Sequence, residues 1–493
     1  MPLYLGIDLG TTGVKAVLVR PDGAIAGIGY REYPIHIPNP GYAEQDPADW
    51  WRGLKEALQE ALRISGAPPE QIRGIGLSGQ MHGMVLLGKE RTPLHPAVIW
   101  CDQRTVLQAE EIRAKIGVAR LGQWVQNPVG VGFQICSLLW MKRHQPAIYG
   151  RTRHVLLPKD YIRLLLTGEI GSEPTDACST LCYDCAGQTW SDAMLGALEI
   201  PRALMPDAAH RPHEIAGQLT QSAADALGLP PGIAVAYGGG DQPMQAVGNG
   251  ILHPGDASLT LGTGGQVLVP TSTPAYDKLL RTHTFCHVLR DTWYVMGAVL
   301  NCCLAQNWFL ENILRDRNFK QMDLEAQGAA PGCNGLLFLP YLTGERTPHM
   351  DPRAKGVFFG LTLGHARGDM VRSVMEGVGF ALLDAMEAIE SLGLAADRLI
   401  LSGGGAASPL WKQIIADIFG RPIYTSRMRE EAGVGAAICA MVACAQYGSV
   451  DEACRAIVRY EDGCVEPVNQ NAEVYREAHA HFQALYKACK PCF

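Results

Sequence analysis

One short pattern occurs twice in this chain, as Leu9-Gly10-Thr11-Thr12-Gly13 and as Leu261-Gly262-Thr263-Gly264-Gly265. The first copy lies between two apolar runs, Leu3–Ile7 with Asp8 at its end and Val14–Val19, and the second between Ala257–Leu261 and Gln266–Val269. That order describes a strand, a tight turn and a second strand. The glycines let successive N–H groups converge and the threonines add hydroxyl donors, so such a turn can cradle a phosphate. Asp8, at the strand end, is placed to hold a magnesium ion or its water shell. Taken alone, either copy could equally be an ordinary hairpin. Because one copy opens each half of the chain, the pair implies two like domains facing across a cleft. The boundary falls near His253-Pro254-Gly255, giving residues 1–252 and 253–493.

The length of 493 residues suits two large domains. With 47% hydrophobic and 18% charged residues there is ample material for a core in each. A net charge of −7 without any basic run argues against nucleic acid as the main partner, while an anionic small molecule needs only a local site. The longest small-apolar run, Gly433–Ala445, is 13 residues, short of the ~20 that cross a bilayer. The N-terminus has no basic segment, and Asp8 interrupts its apolar run, so neither a membrane span nor a secretory signal is expected. Fifteen cysteines in apolar company suit reduced, buried thiols and a cytoplasmic location. Two C-x-x-C pairs, Cys182/Cys185 and Cys489/Cys492, would make a zinc site only if a mid-chain loop met the C-terminal tail.

After the opening hairpin come a third strand (Ala24–Tyr30), a helix and another strand (Ile72–Leu77), the start of an α/β layer. Asp46 can cap that helix with Pro47 in its first position, and Trp50, Leu54, Ala57, Leu58, Ala61 and Leu62 give it an apolar face. Gly74–Gly79 matches G-x-G-x-x-G, but its glycines lie inside the strand and a further strand follows, so it is no dinucleotide fingerprint. No G-x-x-x-x-G-K-[ST] is present. Gln80-Met81-His82-Gly83 and Trp100-Cys101-Asp102-Gln103-Arg104 sit at strand ends, where open α/β sheets place ligands, and point to a polyol or sugar. Residues 171–220 read as a loop-rich stretch of low periodicity. Gly238-Gly239-Gly240-Asp241 ends a strand and leaves an acid open to close approach, as a general base or as a helix cap. Phe338–Gly360, with Glu345, Arg346, His349 and Asp351, has the composition of a functional loop. Ser402-Gly403-Gly404-Gly405, between a strand and a helix, allows a ribose or flat ring to lie on backbone, or the two elements to pack closely.

In order along the chain these motifs resemble the FGGY carbohydrate kinases, of the sugar kinase, heat-shock 70 and actin superfamily. The resemblance rests on the two Gly-Thr turns, Trp50-Trp51, Gln80–Gly83, Trp100–Arg104, Leu157–Tyr161, Gly238–Asp241, Tyr341–Pro348, Gly356–Glu376 and Gly403–Gly405. It implies an α/β fold of two actin-like (ribonuclease H-like) domains, mixed sheets flanked by helices, with a cleft between them. It also implies ATP and Mg²⁺, with Asp241 as the base and Asp8 on the metal side, acting through water. Gly10, Thr11, Thr12, Gly13, Lys15, Gly262, Thr263, Gly264, Gly404 and Gly405 would bind ATP, and Met81, His82, Trp100, Asp102 and Gln242 the sugar. Met81-His82 and Gly344–His349 look most like the xylulokinase branch, which implies a ketopentose, D-xylulose, phosphorylated at O5. Three departures stand out: Ser137 in place of a family lysine, Gln242 in place of asparagine, and Pro243 and Gln245 in place of small residues. Glycerol, gluconate or another ketose therefore stay open as substrates. More distant is a non-catalytic, actin-like or sugar-sensing nucleotide binder. The partners implied are small molecules, with homodimerisation open.

Overall fold

A computed structural model describes residues 1–493. Its two principal sheets repeat one another. In the first, the strands run Ile215–Gln218, Ala234–Ala236, Ile72–Gly79, Leu3–Leu9, Gly13–Val19, Ile25–Glu32, and Gly239–Gly240 also pairs with Ile72–Gly79. In the second they run His283–Cys286, Trp293–Val299, Gly265–Thr271, Gly255–Leu261, Ala396–Ser402, Ile423–Thr425. Three antiparallel strands open each sheet from its hairpin, the second sheet adding His283–Cys286 as a fourth at its edge, and in both the first hairpin strand is joined in parallel by a strand arriving from later in the chain. The Leu-Gly-Thr turns occupy equivalent hairpin tips, Leu9–Gly13 and Leu261–Gly265.

Local chemistry explains the elements that carry the site. Helix Pro47–Ser65 starts where Asp46 accepts from the Ala48 N–H at 2.9 Å and ends at Gly66 in the left-handed conformation. Trp50, Leu54, Ala57, Leu58 and Ala61 are fully buried against the first sheet. Helix Asp241–Gly248 is capped by Gly240, so Asp241 is its first residue and not its cap. Helix Pro409–Phe419 follows the triglycine turn, with the Ser408 hydroxyl accepting from the Trp411 N–H.

The strands on either side of residues 252/253 belong to separate sheets, yet one helix from the second half crosses back. Glu431–Ala443 packs on strands Leu3–Leu9 and Ile72–Gly79 and on helix Asp241–Gly248. The glycines of the G-x-G-x-x-G stretch serve this contact. A Cβ on Gly76 would lie 1.9 Å from the Ala436 carbonyl oxygen, and one on Gly6 the same distance from that of Gly433. The apolar run Gly433–Ala445 is thus a core helix through Ala443, and no helix of the chain is long and apolar enough to cross a membrane.

Residues 171–220 are loop-rich, as read from the sequence, with short helices and strands interspersed and Gly171–Tyr183 wholly buried. They cover a buried ionic network in which Lys159 pairs with Asp160 at 2.8 Å, Glu173 at 3.5 Å and Asp176 at 3.7 Å. The network reaches the segment that precedes Asp241. Lys159 Nζ donates to the Tyr237 carbonyl at 3.5 Å, and the Thr175 hydroxyl accepts from the Gly240 N–H at 3.2 Å. Buried charges survive only when paired, so these contacts set the strap Tyr237–Gly240 from which Asp241 emerges.

Candidate active site

At the first hairpin tip the carbonyl oxygens are tied inward and the amides are not. Tyr33 OH and Gln80 Nε2 donate to the Gly10 carbonyl, and Gln45 Nε2 to that of Thr11 at 2.6 Å. The N–H groups of Thr11 and Thr12 have no acceptor within the protein. At the second tip the Gly262 and Thr263 carbonyls accept from the N–H groups of Cys303 and Cys302, while the Thr263 and Gly264 amides are free. Both tips therefore present unpaired donors, which is what an anion site needs.

Asp8 and Asp241 line an open cleft with Lys15, Gln242, Gln245, Glu430 and Glu431. Asp8 Oδ1 accepts from Ser78 Oγ at 2.9 Å, and burial raises its carboxyl above the ordinary value. Burial, then the nearby Asp8 charge, pushes the half-buried Asp241 up to about 7, and burial also raises Glu431. Four carboxylates stand against one ammonium, and Lys15 is itself paired with Glu430. A hard-oxygen set with an unneutralised excess of negative charge fits a divalent cation such as Mg²⁺.

Asp241 also lines a second cavity, of about 150 Å³, with Thr11, Met81, His82, Trp100 and Gln242 from the first half. Gln266, Phe285, Met296, Ala298 and Arg346 close it from the second half. Trp100 Nε1 donates to Thr11 Oγ1 at 2.8 Å, linking this cavity to the first hairpin tip. His82 Nδ1 donates to the Ser179 carbonyl at 2.7 Å, and burial drops its pKa to about 4. The ring is thus a neutral Nδ1–H tautomer whose Nε2 can accept from a hydroxyl. Its face rests on Phe133, centroids 4.3 Å apart. Arg346 is buried except toward the cavity, and its guanidinium has no hydrogen bond or carboxylate partner in the protein.

Asp102 is the exception among the sugar-side residues read from the sequence. It is fully buried outside the cavity, where it accepts from the Ala43 N–H at 2.6 Å and pairs with Arg104 at 2.7 Å, which also pairs with Glu44. With both oxygens engaged, it holds the loop that carries Trp100. Gly404 and Gly405 line a third cavity of about 540 Å³ with Cys303, Gln306, Phe319 and Trp411. A Cβ on Gly404 would meet nothing within 4 Å, whereas one on Gly405 would lie 2.8 Å from Leu261 Cβ. Gly404 thus faces open space and Gly405 packs against the turn.

Sequence reasoning missed Gln266, Phe285, Met296 and Ala298, which reach the sugar-sized cavity from alternate positions of three strands, and Glu430 and Glu431 beside Asp8. Arg346 had a signal, its place in the polar loop Phe338–Gly360.

Comparison with known proteins identifies the family. The FGGY family of carbohydrate kinases matches over residues 3–248 with its N-terminal domain and over residues 257–444 with its C-terminal domain. The chain belongs to the FGGY family of carbohydrate kinases. The C-terminal match ends just beyond the helix that crosses back onto the first sheet. The chain is similar to the xylulose kinase of Escherichia coli K12, 35% identical over 492 residues and 99% of each chain. It is 38% identical to that of Klebsiella pneumoniae over 420 residues, 85% of each. The crystal structure of xylulose kinase from Rhodospirillum rubrum superposes with a TM-score of 0.92 at 30% identity, covering 99% of both chains. As an FGGY kinase this chain is an ATP-dependent sugar kinase, with the two-domain fold of mixed sheets flanked by helices.

Proposed function

We propose that this FGGY kinase transfers the γ-phosphoryl group of ATP to O5 of a ketopentose, D-xylulose, giving D-xylulose 5-phosphate and ADP. The observation that carries the reading is the position of Asp241. Its carboxyl borders both the sugar-sized cavity and the carboxylate cleft, beside the first turn with its unpaired amides. The full-length likeness to xylulose kinases supports the ketopentose. In this role the Asp241 carboxylate accepts the proton of the attacking hydroxyl as the new O–P bond forms and the β,γ-bridging O–P bond breaks. A base with a pKa near 7 is well matched to neutral pH and contributes about 10²–10⁴-fold.

The remaining residues bind and position. His82 Nε2 accepts from one sugar hydroxyl, and the Arg346 guanidinium donates to an acceptor oxygen at the other side. Trp100, Met81 and Phe133 exclude water around them. Because Arg346 and Gln266 come from the second half and His82 and Asp241 from the first, a sugar in this cavity draws the two halves together. That couples sugar binding to closure over ATP and limits wasteful hydrolysis. The amides of Thr11, Thr12, Thr263 and Gly264 hold phosphate oxygens, and Gly404 opens the wall along which adenosine lies. Asp8, with Glu430 and Glu431 nearby, would hold Mg²⁺, directly or through water. When bound, the ion neutralises charge on the phosphates. The test is the product: with D-xylulose and ATP, the phosphorus should couple to the C5 protons in NMR spectra. Phosphorylation at O1, or ADP release that is indifferent to the sugar, contradicts the reading.

A further inference from the structure

The C-x-x-C spacing of Cys182 and Cys185 points to the wrong partners. In the fold Cys185 meets Cys178 and Cys286, and the three Sγ atoms lie within 4.8 Å of one another, all fully buried. Cys178 and Cys185 come from the covered segment 171–220, and Cys286 from an edge strand of the second sheet, so the trio joins the two halves. In the neutral state each thiol rests on a backbone carbonyl: Cys178 on Thr175 at 3.1 Å, Cys185 on Val125 at 3.5 Å, and Cys286 on Cys185 at 3.6 Å.

A second observation is independent of the sulfurs. Arg211 is only 6% exposed and pairs with no carboxylate. Its Nη2 donates to Gln188 Oε1 at 2.7 Å, but its buried Nε and Nη1 have no acceptor. Of the charges acting on Cys286, the Glu173 carboxylate opposes its thiolate and the Arg211 guanidinium favours it. A buried guanidinium ordinarily has an anionic partner, and three neutral thiols do not supply one.

We propose that Cys178, Cys185 and Cys286 form a binding site for a thiophilic divalent ion of the zinc and cadmium class, with Arg211 as the counter-charge. The reaction balances as M²⁺ plus three thiols giving a tris-thiolate complex of net charge −1 and three protons released to solvent. One guanidinium neutralises that charge. Metal–sulfur bonds of about 2.3 Å set the ligand sulfurs about 3.8–4.0 Å apart, so the trio must draw in by roughly an ångström or less. A softer monovalent ion would leave a second negative charge buried and uncompensated, which favours the divalent class. Cys178 precedes Ser179, whose carbonyl orients His82, and Cys286 follows Phe285 of the cavity wall. An occupied site would therefore brace both sides of the sugar cavity, without taking part in phosphoryl transfer.

The test uses the reduced full-length protein with cadmium chloride as the probe and metal-to-thiolate charge-transfer absorption as the readout. One ion per chain is expected, with about three protons released and affinity rising with pH. Cys286→Ser should abolish the band, whereas Cys182→Ser and Cys492→Ser should keep it. Absence of the band at stoichiometric cadmium, or its survival in Cys286→Ser, overturns the proposal. Circular dichroism and a cooperative melt report folding without reference to kinase activity. Should Cys286→Ser misfold, Arg211→Gln leaves all three thiols in place. A loss of affinity of tenfold or more supports the site, and an unchanged affinity overturns it.

Discussion

Replacing Asp241 by asparagine should remove most of the activity and stabilise the folded protein in a pH-dependent way. Burial and the Asp8 charge hold the Asp241 carboxyl at about 7 in the folded chain, against about 3.9 in an unfolded one. The folded state then binds more protons than the unfolded state between those values, so this group costs stability increasingly as pH rises through the window. Above about 7 the cost is complete. Three units at about 1.4 kcal/mol each give a ceiling near 4 kcal/mol. Asp241 is half-buried, so solvent screening reduces the realised value to about 1–2 kcal/mol. Asparagine keeps the shape without the charge. The ligand-free Asp241→Asn protein should therefore melt higher than the parent at pH 8, and the difference should shrink toward pH 4. Sugar-dependent turnover should fall by about 10²–10⁴-fold with sugar binding retained. The assays are differential scanning fluorimetry across pH and a coupled ADP assay. A pH-independent melting difference together with turnover within tenfold of the parent would refute the assignment of the base.

Asp8→Asn should raise the magnesium concentration needed for half-maximal rate, and should move the acid limb of kcat/KM downward from about 7, because Asp8 adds to the shift of Asp241; an unmoved limb contradicts the coupling. Arg346→Ala should raise the sugar KM by about 10–100-fold, the equivalent of a charged hydrogen bond of about 1.5–3 kcal/mol, with the ATP KM little changed. Gly404→Val should raise the ATP KM selectively, because its side chain would enter the open cavity, whereas Gly405→Ala should lower the melting temperature through its 2.8 Å approach to Leu261. Nucleotide titrations beside melts separate those two outcomes.

The features that local chemistry specifies are legible in the amino-acid sequence alone. The Gly-Thr tips, the Asp46–Pro47 helix start and the strand–triglycine–helix junction lie where propensity and turn residues place them. What sequence patterns do not reveal is set by distant partners. Asp102 has the look of a sugar ligand beside Trp100, but Arg104, itself also paired with Glu44, and the Ala43 amide consume it in a buried cluster. The stretch 171–220 carries no periodicity because its short elements bury scattered apolar residues such as Leu181, Trp190, Met194 and Leu204, beside the charged pair Glu173 and Asp176, and form no continuous apolar stripe. The return of helix Glu431–Ala443 to the first sheet depends on glycines more than 350 residues away, Gly6 and Gly76. Within a strand those glycines mimic a nucleotide motif, and only the fold reveals that they admit a helix.

The cavity between Asp241, His82 and Arg346 is expected to select a ketopentose for phosphorylation. The most direct test is kcat/KM for ADP release across D-xylulose, other ketoses, glycerol and gluconate, at fixed magnesium and saturating ATP. D-Xylulose should exceed glycerol and gluconate by at least about 100-fold, the His82 acceptor and the Arg346 donor contacts on the sugar each contributing about a factor of ten. Glycerol or gluconate within tenfold of D-xylulose, or ADP release that no sugar stimulates, would contradict it.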